Sequence, residues 1–535
     1  MTSYPVRTYE DVRAALLARR EIALLDVREE DPHAQAHPLF AANVPLSKLE
    51  LDAYTRLPRR DVPIVLFDAG EGLAQRAADK LASLGYTQIA LLAGGLDGWI
   101  RAGGEVFRDV NVPSKAFGEL VEAQRHTPSL SAEAVETLLK HGDDVVVLDA
   151  RRFDEYQTMN IPGSVSVPGA ELVLRARALA PDPKTRVIVN CAGRTRSIIG
   201  AQSLVNAGLP NPVAALRNGT IGWTLAGQTL EHGSHRQFDA QAGLDAASLD
   251  ASRSASRALA DSAGAGRTSL DEAARWANEP SRTTYRFDVR TPAEYENAHA
   301  PGFQGAPGGQ LVQETDMFAP VRGARVVLFD DDGVRANMTA SWLAQMNIEV
   351  YVVDGAAPQA LTESGPWRGA KAEAPPIPEV SAHELAALLA DASSGTLVID
   401  VTSSANHVKA HIPGAYWLVR SRLVNAIDDL RALPDAKRYV VTCGTNALAP
   451  FAAADIAALT GKPVHVLAGG TAAWIRAGLP TENGDARLAS PRIDRYRRPY
   501  EGTDNAREAM NAYLEWEYGL VAQLERDGTH GFFVI

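Results

Sequence analysis

The run VIVNCAGRTRS, residues 187–197, sets a thiol at Cys191 just after the apolar residues Val187, Ile188 and Val189. Gly193, Arg194, Thr195, Arg196 and Ser197 follow it, and apolar residues then recur at Ile198, Ile199, Ala201, Leu204 and Val205 with helical spacing. The cysteine is therefore predicted where a strand ends and a helix begins. Such a junction aims successive backbone N–H groups and the positive end of the helix dipole at the side chain. With two guanidinium groups in the same loop, the thiol is expected below its free pKa of about 8.5, as a nucleophilic thiolate at neutral pH. The alternative is a buried, inert cysteine, which sits in apolar and not electropositive surroundings.

The elements that must position this loop occur four times. Each copy has a helix-like segment, a strand ending in Asp, a turn rich in Pro or Gly, and a second apolar strand with a loop and helix; most copies close on a Gly-Gly or Gly-Trp turn. Alternating strands and helices predict an α/β fold in which each copy is a parallel sheet flanked by helices. The copies are read at residues 1–120, 121–236, 267–370 and 371–484. Between them lie an Ala/Ser/Asp-rich stretch, 237–266, read as a loosely helical linker and the expected hinge, and a proline-rich spacer near 365–379. The stretch 108–127 is mixed in composition and reads as a connector. The tail, 485–535, contains EAMNAYLEWEYGLVAQLER, which has helical periodicity and too many apolar positions to remain solvated. It is expected to dock on a domain of its own chain or to cover a homodimer interface.

At the loop position the copies carry Asp68, Cys191, Asp330 and Cys443. Cys443 opens an uncharged loop, CGTNAL, with no arginine, so its thiolate would rest on loop amides alone and it is only a candidate second nucleophile.

A chain of 535 residues exceeds what one core holds. Its net charge of −12 argues against nucleic acid and anionic membranes as partners. Two cysteines far apart in sequence form neither a disulfide framework nor a CxxC site, and no His/Cys cluster suggests a metal. No apolar run approaches a membrane span, and a reducing cytoplasm is the expected location.

The CAGRTRS loop after a VIVN strand, with its strand-Asp, Pro-Gly and Gly-Trp landmarks, resembles the active-site loop of the rhodanese sulfurtransferases. The resemblance extends over nearly the whole chain up to the tail and is mostly architectural in the third copy. It implies four tandem rhodanese-like domains and a ping-pong reaction without external cofactor: Cys191 takes a sulfane sulfur from a donor, holds it as a persulfide, and passes it to a thiophilic acceptor. The donor could be thiosulfate, glutathione persulfide or mercaptopyruvate. Amides from Ala192 to Ser197 would cradle the persulfide, and Gly193 would allow a positive φ. Arg194 and Arg196 would bind an anionic donor by charge-assisted hydrogen bonds. Thr195 and Ser197 could donate hydrogen bonds, Ser197 equally serving as helix N-cap. Cys443 stands in a loop similar to that of mercaptopyruvate sulfurtransferases, with Asn446 replacing a glycine. Asp149 with Arg151, and Trp223, are read as scaffold; Asn160 stands where many relatives have His.

Asp68 and Asp330 cannot carry sulfane sulfur and would repel an anionic donor, so the first and third copies are expected to be inactive. A cysteine-dependent phosphatase is disfavoured, since only four residues separate Cys191 from Arg196, one short of a phosphate cradle. A non-enzymatic scaffold or persulfide-binding protein is the other alternative.

Overall fold

The computed structural model describes the chain except residues 1–2, 240–244, 356–357, 424–428, 431–432 and 503. Four parallel sheets repeat one topology, in which strands taken along the chain lie side by side in the order first, fifth, fourth, second, third. In the second domain these are Ser129–Leu130, Val213–Leu216, Arg186–Asn190, Val145–Asp149 and Val165–Ser166. The strand Arg186–Asn190 is central, with helices on both faces of its sheet, which is why it reads as an uninterrupted apolar run. It delivers Cys191 at its C-terminal end, where the helix Thr195–Asn206 turns back over the sheet and buries Ile198, Ala201 and Leu204.

The strand-end aspartates are scaffold, as expected. Arg151 donates to Asp149 through Nε at 2.9 Å and Nη2 at 2.7 Å, and Asn190, at the end of the loop-bearing strand, donates to the same carboxylate at 2.8 Å. The arrangement recurs as Asp26 with Arg28 and Asp288 with Arg290. In the fourth domain His407 Nδ1 meets Asp400 at 2.9 Å instead. Trp223 is buried and ties the end of its domain by donating to the Thr229 carbonyl at 2.8 Å. Asn160 is buried and exchanges backbone hydrogen bonds with Glu231.

Tertiary packing revises several sequence boundaries. Residues 112–125 form a helix, Val112–Arg125, whose buried face includes Val112, Phe117 and Val121, so the division at 120/121 cuts a core helix. The expected hinge holds a helix, Ala246–Ser262, capped by the Asp245 side chain. Its small residues Ser252, Ser256 and Ala260 are buried, four apart, and the helix lies along Arg335–Gln345 of the third domain. It is a packed bridge; residues 240–244 of the expected hinge fall outside the described residues. The strand Gly266–Thr268 places Gly266 in the third domain's sheet, and residues 487–489 continue the fourth domain past 484 by bonding Trp417.

The domains are not independent beads. Val321–Arg322 of the third domain pairs antiparallel with Ile22–Ala23 of the first, and the two domains share one hydrophobic core with the tail residues Leu520, Leu524 and Phe532. The tail helices Arg507–Tyr518 and Leu520–Asp527 dock on this chain's own helix Val112–Arg125.

Candidate active site

Cys191 is buried at the base of its loop, only 2% exposed. Its thiol donates to Ser197 Oγ at 3.4 Å, and Ser197 Oγ donates to the Arg194 carbonyl at 2.8 Å. The helix begins at Thr195 with Arg194 at the cap position and no side-chain cap, so Ser197 lies in the first turn and is not the N-cap. Thr195 packs on Gly118 of the interdomain helix, 3.0 Å from the point where a Cβ would stand there. Ala192 anchors the loop from below, its carbonyl accepting from Ile221 N at 3.0 Å and Thr220 Oγ1 at 3.1 Å.

What such a loop holds is visible in the sister domains. In the first, Asp68 accepts from Gly70 N and Ala74 N, both at 2.9 Å. In the third, Asp330 accepts from Gly333 N at 3.1 Å and Ala336 N at 2.8 Å. The outer bond in each runs to the amide six residues on, the position Ser197 has relative to Cys191. The loop thus aims amides at the side chain in this position, an aspartate in two domains and a cysteine in the others. In the fourth, Cys443 Sγ accepts from Leu448 N at 3.4 Å; Asn446 is left-handed with φ of 71°, and no arginine is in the loop.

Both loop arginines are already engaged. Arg194 makes a two-point ion pair with Glu119, at 2.7 and 2.8 Å, donates to Asn218 at 3.1 Å, and stacks on Tyr518. Arg196 makes an equivalent pair with Glu155, at 2.7 and 2.8 Å. Their expected role as open donor ligands is therefore corrected: they are fixed positive charges whose hydrogen bonds go to carboxylates. Gly193 is corrected too, for its backbone is not left-handed. Its α-carbon is covered by the tail, and a Cβ there would stand 3.2 Å from Tyr513 Cε1 and 3.4 Å from Glu517 Oε2.

The tail changes the electrostatics that the loop alone implies. Burial pushes the Cys191 thiol above its ordinary range, with Arg196 and the Ser197 hydrogen bonds pulling it down and Glu517 adding to the rise. A thiol depressed below its free value is the sequence expectation; desolvation by burial outweighs the pull of Arg196. Glu517 is itself pushed up to about 8 by burial and by Glu119, against the opposing pull of Lys115 and Arg194. Lys115 is buried against Asp109 at 2.8 Å, with the rings of Tyr500, Tyr513 and Trp516 around it.

Glu119, Glu155, Tyr513, Glu517 and Gly219 escaped the sequence reading. Only Gly219 left a legible signal, as the glycine of the closing turn. It is left-handed with φ of 53°, and a Cβ on it would stand 2.3 Å from the Cys191 carbonyl. Gly95 and Gly470 make the same approach to Asp68 and Cys443, at 2.5 and 2.3 Å. Among the described residues no cluster of His, Cys, Asp or Glu could hold a metal, and no helix is long and apolar enough to cross a membrane.

One sheet topology, repeated four times with a loop of inward-facing amides after the sheet's central strand, defines a tandem array of a single α/β domain type. The chain belongs to the rhodanese-like domain family, whose family model matches residues 8–102, 131–226, 269–359 and 381–477. It is similar over 99% of its length to the crystal structure of a thiosulfate sulfurtransferase from Pseudomonas aeruginosa, with 64% identity, a TM-score of 0.96 and 100% of that chain covered. It is 28% identical over 155 residues to the putative sulfur carrier protein YrkF of Bacillus subtilis, covering 28% of this chain and 82% of that one. It is 25% identical over 84 residues to the thiosulfate sulfurtransferase GlpE of Coxiella burnetii, covering 16% of this chain and 77% of that protein.

Proposed function

We propose that this chain is a sulfurtransferase that moves sulfane sulfur from thiosulfate to a thiophilic acceptor, with Cys191 as the sulfur carrier. One observation carries the assignment of the site: the loop position that holds Cys191 holds, in two sister domains, an aspartate whose oxygens accept from loop amides. The family relationship and the 64% identity to a thiosulfate sulfurtransferase support the reaction class.

In the first half-reaction the Cys191 thiolate attacks the outer sulfur of thiosulfate. A cysteine S–S bond forms, the bond to the sulfonate sulfur breaks with its electron pair, and sulfite leaves. The amides that follow Cys191 then face the anionic persulfide, and Arg196 stabilises it through its charge while remaining bonded to Glu155. In the second half-reaction an acceptor nucleophile takes the outer sulfur, and Cys191 departs as thiolate. Thiols of a reducing cytoplasm suit this role, and glutathione persulfide and mercaptopyruvate are further donor candidates. Since Cys191 is buried and Tyr513 and Glu517 of the tail stand over Gly193, two residues on, donor access requires the tail to lift from the loop. Cys443 is assigned a secondary role at most, because its loop offers amides without fixed positive charge.

The test is intact mass after incubation with thiosulfate, comparing wild type, Cys191→Ser and Cys443→Ser. An added sulfur of about 32 Da that survives Cys443→Ser and vanishes in Cys191→Ser is the expected result for covalent carriage. Loading that is indifferent to Cys191→Ser would reject the assignment.

A further inference from the structure

A cavity of about 240 Å³ lies where the first and third domains meet the end of the tail, and no residue of the Cys191 loop lines it. Arg19, Arg20, Arg282 and Arg322 face it, with Glu349 as the one carboxylate among its described lining residues. Arg282 takes that carboxylate for itself, at 2.5 and 3.1 Å. Arg19, Arg20 and Arg322 pair with no carboxylate among the described residues. Arg322 is half-buried, lies 4.0 Å over the ring of Phe40, and reaches only the carbonyls of Met346 and Asn347, at 3.5 and 3.4 Å. Burial and the charge of Arg19 lower its guanidinium to about 10. A cation that faces another cation away from bulk water, with no counter-ion, is costly to keep.

The backbone fixes this arrangement. The helix Tyr9–Leu17 closes with bonds from Arg19 N to Leu16 O at 3.1 Å and from Arg20 N to Ala15 O at 3.0 Å, a Schellman ending whose left-handed position is ordinarily glycine. Here that position is Arg19, with φ of 51°. Gly323, in the turn after the strand Val321–Arg322, packs on this end of the helix; a Cβ on it would stand 2.7 Å from the Arg19 carbonyl. The helix dipole accounts for cations after residue 17 but not for Arg322, which comes from a strand of another domain.

We infer that this cavity is a binding site for a compact, multiply charged oxyanion of the sulfate or phosphate type, which bridges Arg19 and Arg20 of the first domain to Arg322 of the third. Guanidinium forks match the edge of a tetrahedral oxyanion, two N–H donors to two oxygens. The volume falls below the about 300–1,000 Å³ usual for organic ligands, which favours an ion over a nucleotide or other cofactor. Bound there, the anion offsets the repulsion between Arg19 and Arg322 and ties together the two domains already joined by the pairing of Val321–Arg322 with Ile22–Ala23. The site neither uses nor needs Cys191.

The test is calorimetric titration of the full chain with sodium sulfate and, separately, with inorganic phosphate, at a fixed ionic strength set by chloride, with melting temperature followed in the same buffers. Saturable binding is expected, and a melting temperature that rises and then levels off. Arg19→Gly and Arg322→Gln should each weaken binding at least about tenfold, since a charge-assisted contact is lost. In chloride alone Arg19→Gly should melt no lower than wild type, because glycine suits the left-handed position and a repelling charge has gone; a lost ligand is thereby separated from a damaged fold. Tighter binding of sulfate supports a sulfur oxyanion as the occupant, and tighter binding of phosphate a phosphate-bearing one. Responses that grow without saturation, or that are equal in wild type and Arg19→Gly, mark general exclusion of salt from the surface and would overturn the inference. So would wild-type affinity retained in Arg322→Gln.

Discussion

Arg194 and Glu119 meet in a parallel two-point ion pair, Nε to Oε1 at 2.7 Å and Nη2 to Oε2 at 2.8 Å, across a sequence separation of 75 residues. One partner belongs to the reactive loop, the other to the helix Val112–Arg125 that joins the first two domains, and both are buried. The loop of the second domain is therefore held from outside that domain.

Removing either partner leaves a buried charge alone. Arg194→Ala and Glu119→Ala should each cost about 3 kcal/mol of stability, and the double variant clearly less than the sum. Thermal unfolding of the three chains measures this coupling; strict additivity would refute it.

The pH dependence of the Cys191 thiol follows from burial. Because its folded pKa lies above the ordinary value, thiolate is scarce at neutral pH and accumulates as pH rises past the range of a free thiol. Iodoacetamide alkylation of Cys191 should climb accordingly. Arg196→Ala removes the charge that opposes the rise, so its curve should lie at still higher pH, each unit lowering the neutral-pH rate about tenfold. A curve displaced to lower pH would contradict the assigned role of Arg196.

Gly219 supports the loop by its lack of a side chain. Gly219→Ala would drive a methyl into the Cys191 carbonyl, 2.3 Å away, on a left-handed backbone. Sulfur loading should fall at least about tenfold, with strain of about 1–3 kcal/mol visible in the melting temperature. Gly227→Ala is the control: it is also left-handed, but its Cβ would meet nothing within 4 Å, and loading should persist. Equal loading in the two variants would remove Gly219 from the site.

The first and fourth domains are joined by Glu50 and Arg420, at 2.7 and 2.8 Å, with Asp455 and Lys80 alongside. Burial opposes ionisation of Glu50, but the hydrogen bond and charge of Arg420 prevail, and its carboxyl is lowered to about 2. A carboxylate so depressed contributes stability above the usual Glu range and loses it as pH falls through the folded value. Acidification from about pH 5 to 2 should therefore remove about 3 kcal/mol at this contact. Glu50→Gln should be less stable at neutral pH and lose less on acidification; parallel melting curves for the two chains would exclude the effect.

Much of the site was legible because its signals are local. Apolar periodicity placed Arg186–Asn190 and Thr195–Asn206, and the recurrence of strand, turn and loop placed four domains around Asp68, Cys191, Asp330 and Cys443. The connector at 108–127 was opaque because its helix is buried on most sides by helices of the second domain, the third domain and the tail, which leaves no two-faced pattern to read. The helix Ala246–Ser262 read as loose because its contact face is made of Ser and Ala, residues that permit close packing without a hydrophobic signature.

By itself the sequence determined the repeated α/β domain, the cysteine at a strand–helix junction and its replacement by Asp in two copies, since backbone hydrogen bonding and apolar periodicity act between near neighbours. Tertiary structure alone decided that Glu119 and Glu155 occupy the loop arginines, that Tyr513 and Glu517 close over Gly193, and that the thiol is raised and not lowered. Those outcomes depend on desolvation and on charges brought from up to hundreds of residues away, and both exist only once the chain has folded around the site.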